Sequence, residues 1–337
     1  MTRKKLRSTA CVAKDRWITR GVRCAIPLAM AWASAPAVAR NNNVYVANAF
    51  ADSISVINSA TNTVTATISV PTGSDPQGIT VSPDGRTVYV TDVAIDAMSV
   101  IDTATNTVTD TVPVGDGPEA AVTSPDGSIV YVANAGANTV AFFDAASRTV
   151  IASVPVGQAP IAIQVSPDGR RVYASNLLGN SVSVIDTGTR TVAATIPVGP
   201  NPYGLAVGPL GARLYTANYD TNDSTVIDTS TNTAIGSAPA GNGADGVAVG
   251  PLGTRLYVSN DLDNTVSVVN PFTRSLIATV PVGKDPELLT IGPDRLHAYV
   301  TNATSDTVSV IDLLSNKVVA TIGVGHLPVA VAVQPGL

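Results

Sequence analysis

Chemistry in this chain has to come from carboxylates and hydroxyls, because its 337 residues include only two histidines and two cysteines. Four polar residues stand out by position: Glu119, Tyr203, Asp245 and Glu287. They are spaced by multiples of 42 residues, and each directly follows a proline or alanine that ends a short loop (Pro118, Pro202, Ala244, Pro286). The same register elsewhere holds Gln77, Ile161 and Val329, so the position varies while its surroundings repeat. Binding residues are commonly carried on loops held by a rigid scaffold, and the alternative is an ordinary solvated acidic rim whose carboxylates ignore one another. His326, in the loop before Pro328, joins Glu119, Tyr203, Asp245 and Glu287 as a candidate ligand-binding residue. Converging carboxylates repel one another, and a bound cation relieves the repulsion. Oxygen-only side chains suit calcium or magnesium better than zinc or copper, which makes Asp245 and Glu287 the expected pair for weak divalent-cation binding. No catalytic residue is assigned. Two separated histidines cannot build a multi-histidine copper cluster, and a haem would find one candidate ligand. No glycine-rich phosphate cradle opens a helix, and His326 is the one plausible base for any of the many serines. His297 falls beside a turn and is expected to be a solvated surface histidine.

The elements that hold these residues follow from the tyrosines. Tyr45, Tyr89, Tyr131, Tyr173, Tyr215, Tyr257 and Tyr299 each open a tetrad: YVAN, YVTD, YVAN, YASN, YTAN, YVSN and YVTN. The first gap is 44 residues and the next five are 42. A period near 40 with several strand signals inside it marks the blades of a β-propeller. One period divides into a first strand at 119–124, a second at 129–134, a third at 139–144 and a fourth at 150–156. Ser-Pro-Asp-Gly at 82–85, 124–127 and 166–169 supplies the turn after the first strand, and Gly-Pro-Leu-Gly replaces it at 208–211 and 250–253. Alternation such as TVSVID at 307–312 puts successive side chains on opposite sheet faces. The aspartates that close the third strand share their place with Asn58 and Asn270, which favours an Asx turn over acid–base work. The tetrad asparagines are expected as loop caps and the tyrosines as packing between blades. The first period lacks a first strand before 43–48, whereas 327–335 matches one. The expected fold is therefore all-β, a seven-bladed propeller of four-stranded blades, closed by the C-terminal strand completing the first blade.

The first 39 residues differ in kind. Eight cations and one acid precede an uncharged run from Cys24 to Ala39 that ends Ala37-Val38-Ala39. A basic region, a short apolar stretch and a small-x-small site describe a cleaved signal peptide, and sixteen uncharged residues with two prolines are short for a bilayer span. The domain division is 1–39 signal peptide and 40–337 a single propeller. The loss leaves 12 basic and 24 acidic residues, a net charge of about −12 against −5 for the whole chain. Such a surface repels nucleic acid. Both cysteines and both tryptophans leave with the segment, so the mature chain has no disulfide.

The tetrad, the SPDG turn and the stretch I-D-x-x-T-N-T-V-x-A-T-I-x-V-G resemble the YVTN β-propeller repeat family over essentially the whole mature chain. The resemblance implies a scaffold and a location in the periplasm, at the cell surface or outside the cell. Its relatives include seven-bladed lactonases and haem- or copper-bearing propellers, and no catalytic residues are common to the family. The expected function is an exported, non-catalytic binding scaffold, monomeric and without a transmembrane segment once mature. Its acidic rim would meet a protein or a small cationic ligand. The competing function is a lactonase-like hydrolase with a metal or carboxylates at the channel mouth.

Overall fold

β-Branched residues alternate with small polar ones in runs of six or seven, and such runs pack well as pleated strands. A computed structural model of the chain describes residues 42–335, and the expected signal segment lies outside them. The strands, β1 to β28 in chain order, form seven four-stranded antiparallel sheets. Six sheets take four consecutive strands. The seventh runs β28 (Pro328–Val333), β1 (Asn43–Asn48), β2 (Ser53–Asn58), β3 (Thr63–Ser69). Val44 lies opposite Val333 and Val46 opposite Val331, and the Gln334 amide donates to the Asn43 carbonyl at 2.9 Å. The C-terminal strand thus completes the first blade, and every sheet of the ring is made from residues between Asn43 and Val333.

The expected second and third strands of the sample period are found at Ile129–Asn134 and Thr139–Asp144. Its first and fourth strands begin one residue earlier than expected, as Pro118–Thr123 and Thr149–Pro155. The innermost strand has no neighbour on its channel side, so it can open on a proline without losing a ladder bond.

The core lies between neighbouring sheets. Tyr257, Val266 and Val268 of one blade pack with Leu289, Ala298 and Val300 of the next. Tyr299 is fully buried, and burial pushes its hydroxyl up to about 12. The tyrosines are packing residues, as their register implied. The turns are equally structural. Asp102 Oδ1 accepts from the Ala104 and Thr105 amides, both at 2.9 Å, and Asn58 Oδ1 accepts in the same way from Ala60 and Thr61. Asn302 Nδ2 donates to Thr307 Oγ1 at 3.1 Å and Ser309 Oγ at 3.0 Å, pinning the tetrad to the third strand.

Two rims result. The first-to-second and third-to-fourth turns share the lower rim, and the remaining loops share the upper one. Among the described residues every lysine and arginine except Lys284 lies on the lower rim. His297 opens its strand there, half-buried, with Nδ1 2.5 Å from Asp294 Oδ2.

Candidate functional site: an acidic channel mouth

Each innermost strand opens at the upper rim beside the channel. Between Pro286 and Leu289, and between Ala244 and Val247, the pairing to the second strand shifts register, so a bulge sits beside the variable residue. Bulges re-aim side chains. All seven residues in this register, Gln77, Glu119, Ile161, Tyr203, Asp245, Glu287 and Val329, line one cavity of about 390 Å3. Four of the five candidate binding residues are therefore brought together. The fifth, His326, is not among the lining residues. It stands exposed on the same rim, with Nδ1 2.9 Å from Asp306 Oδ1 and its ring edge-on to Phe50.

Hydroxyls from the preceding blade fix the backbone under several of these residues. Ser259, third in its tetrad, accepts from the Gly246 amide at 2.8 Å and donates to the Glu287 carbonyl. Ser175 donates to the Tyr203 carbonyl at 2.8 Å and Thr91 to the Glu119 carbonyl at 3.2 Å. The contact is close enough to require glycine at 246, where a Cβ would stand 2.7 Å from the Glu287 carbonyl. Asp245 follows Ala217, which offers no hydroxyl.

Electrostatics set the character of the mouth. Asp245 is 6% exposed and lines the cavity, and no protein donor reaches its carboxylate among the described residues. Burial raises its pKa well above the usual carboxylate range, and Glu287, Asp261 and Asp285 raise it further. Glu287 is pushed up to about 7 by burial and then by Asp285 and Asp261. Asp285 reaches about 6 through burial and the Asp261 carboxylate beside it. Glu119 is raised by burial and by Asp75. Two tyrosines face these acids. The rings of Tyr203 and Tyr219 are 5.4 Å apart, and the Tyr219 hydroxyl donates to Asp261 Oδ2 at 2.7 Å. Burial raises the Tyr203 hydroxyl, and the charges of Asp245, Glu287, Asp261 and Glu119 raise it further.

The charge of Glu287 raises Asp245, as their adjacent blades imply, and Asp261 and Asp285 act on both. The repeat places Asp261 and Asp285 in rim loops, but nothing in the sequence shows that they converge on Asp245. The third tetrad residue was also missed as a support. Its signal is the offset of 28 residues between a serine or threonine (Thr91, Ser175, Ser259) and the residue whose carbonyl it holds. As for a metal, no group of three histidine, cysteine or acidic side chains converges closely enough to hold an ion among the described residues.

The model of the YNCE-like β-propeller matches residues 17–127 and 247–335, and that of a seven-bladed lactonase β-propeller matches residues 91–195. No curated protein matches the sequence. Among solved structures, a functionally unknown protein from Desulfotomaculum acetoxidans DSM 771 is similar at a TM-score of 0.76. It shares 16% identity, and the match covers 88% of this chain and 100% of that one. A chain of Kuenenia stuttgartiensis hydrazine synthase is similar at a TM-score of 0.53 and 22% identity, over 72% of this chain and 96% of that one. At these identities the two likenesses show the fold alone.

Proposed function

The chain belongs to the YNCE-like β-propeller family, and from that premise we propose that it is an exported binding module whose channel mouth takes a small cationic ligand. One observation carries the proposal: Asp245 is buried against the cavity, and the charges that perturb it are all carboxylates. A buried acid without a partner is costly, and a cation seated in the mouth would supply that partner. The cavity is the size of a small-molecule site. The tyrosine faces add an attraction for an organic ammonium that a bare metal ion uses less well. A primary amine that spans separated carboxylates is the favoured form of ligand, and a divalent ion such as calcium is the other. Calorimetric titration with putrescine and, separately, with calcium chloride tests both. Heat of binding in the wild type that is lost in Asp245→Asn with Glu287→Gln supports the proposal. No heat with either probe, or the same heat in the variant, overturns it.

A hydrolase is the second reading. It draws on the partial match to a lactonase model and on Glu287, whose raised pKa of about 7 suits a general base at neutral pH. Hydrolysis of simple lactones, with or without added divalent metal, that disappears in Glu287→Gln would establish this reading and displace the first.

A further inference from the structure

On the lower rim the turn after the first strand has a fixed chemistry in several blades. In Ser-Pro-Asp-Gly at 82–85, Ser82 Oγ donates to Asp84 Oδ1 at 2.6 Å, and the Arg86 amide donates to the same oxygen at 3.0 Å. The turns at 124–127 and 166–169 repeat this pattern. Two consecutive blades abandon it. At 208–211 and 250–253 the serine and the aspartate are lost together, and Leu210 and Leu252 stand where the charge was, 93% and 85% exposed. The backbone has no need of these leucines. The Gly211 amide closes its turn on the Gly208 carbonyl at 2.8 Å, as Gly85 does on Ser82.

The other lower-rim turn departs in the same part of the ring. Two residues beyond the aspartate or asparagine stand Ala60, Ala104, Ala146, Gly188 and Ser230, but then Phe272 and Leu314, 68% and 87% exposed. Leu210, Leu252 and Phe272 line one groove of about 330 Å3. The charge changes as well. Around this sector Arg213, Arg255, Arg274, Arg295 and Lys317 outnumber Asp228, Asp294 and Asp312, whereas acids outnumber cations over the rest of the lower rim.

We propose that this sector of the lower rim docks on an anionic lipid surface. Leucines exposed to this degree are projections without matching sockets, and a fluid acyl phase receives such projections without shape complementarity. The turns all cap the same ends of the sheets, so they meet a plane together. The excess of cations complements a negative headgroup layer, where each adds attraction that salt weakens. The chain also enters and leaves the ring at this rim, with Val44 beside Val333.

Vesicle flotation tests the proposal on the chain from Arg40 onward, which carries every strand of the ring. The vesicles are phosphatidylcholine alone and phosphatidylcholine mixed with phosphatidylglycerol. The variant is Leu210→Asp with Leu252→Asp, which installs the residue that the equivalent turns carry at 84, 126 and 168 and so preserves the fold. The protein should float with the mixed vesicles, less so at high salt. The variant should lose at least about tenfold in partitioning while its melting temperature stays that of the wild type. Absence of flotation, equal flotation on neutral vesicles, or flotation kept by the variant overturns the proposal. A vesicle-independent oligomer that the variant dissolves would also overturn it and mark the groove as a protein interface.

Discussion

Asp245, Glu287 and Asp285 oppose the unliganded fold at alkaline pH. Their folded pKa values lie above those of the unfolded chain, so the folded state holds extra protons between about pH 4 and 7. Stability from this source is complete below that window and is lost as pH rises through it. The turn aspartates act in the opposite sense. Asp102, Asp126 and Asp168 are lowered by hydrogen bonds, and their contribution is lost only as pH falls below about 4. The melting temperature of the unliganded protein is therefore expected to fall by several degrees between pH 5 and pH 8, and Asp245→Asn with Glu287→Gln should flatten that fall. A thermal-shift series across pH checks it, and an unchanged slope in the variant would contradict the electrostatics described for the mouth. Asp92 offers a second case. It fills a tetrad position that is asparagine in the other blades, is fully buried, and accepts from Ser99 Oγ at 2.6 Å while Oδ1 has no partner among the described residues. Burial lifts it to about 6. Asp92→Asn should stabilise the protein at pH 8 by about 1–3 kcal/mol and change little at pH 4, as read by denaturant unfolding. The ring of mouth residues was legible in the sequence because register alone defines it. The grouping of Asp261 and Asp285 with Asp245 was not, because it depends on how two loops from different blades lean together.

Between residues and ring stand the strands, and here the sequence was most informative. Seven tyrosines in one register fixed the blades, and the unmatched strands at the two chain ends fixed the closure. The bulges beside Glu287 and Asp245 left no such trace, because an extra unpaired residue changes no residue type. Closure by β28 makes a sharp prediction. A chain ending at Gly325 loses the innermost strand of the first blade and bares the edge of β1. Exposed edges pair with other chains, so this truncation should aggregate and melt far below the full chain, a loss far exceeding that from trimming the chain back through Asn41 and Asn42. Light scattering during a thermal ramp distinguishes the two. Equal melting would contradict the pairing of β1 with β28.

Across the whole molecule the two rims carry different charge. The upper rim gathers acids with Lys284 as its cation among the described residues, and the lower rim gathers the arginines. Net charge was legible from composition, but its division between rims required knowing which turns share an end. The sector of exposed leucines was visible as text, in GPLG for SPDG, yet its meaning depended on neighbouring blades bringing Phe272 to the same groove. The proposed export is tested at this scale too. It predicts a protein found outside the cytoplasm whose first residue is Arg40, which N-terminal sequencing checks; an intact Met1 in a membrane fraction would replace secretion with anchoring.

The pairing that closes the ring also decides how it bears mechanical load. β1 and β28 run antiparallel, and the chain's two ends leave side by side at Val44 and Val333. Tension applied through those ends meets their hydrogen bonds singly, one rung after another, as when a zip is drawn. Tension applied through two distant blades meets whole packed faces at once, in shear. The same ring is thus weak along one axis and tough along another, and a tether holding only one end leaves its weak seam unloaded.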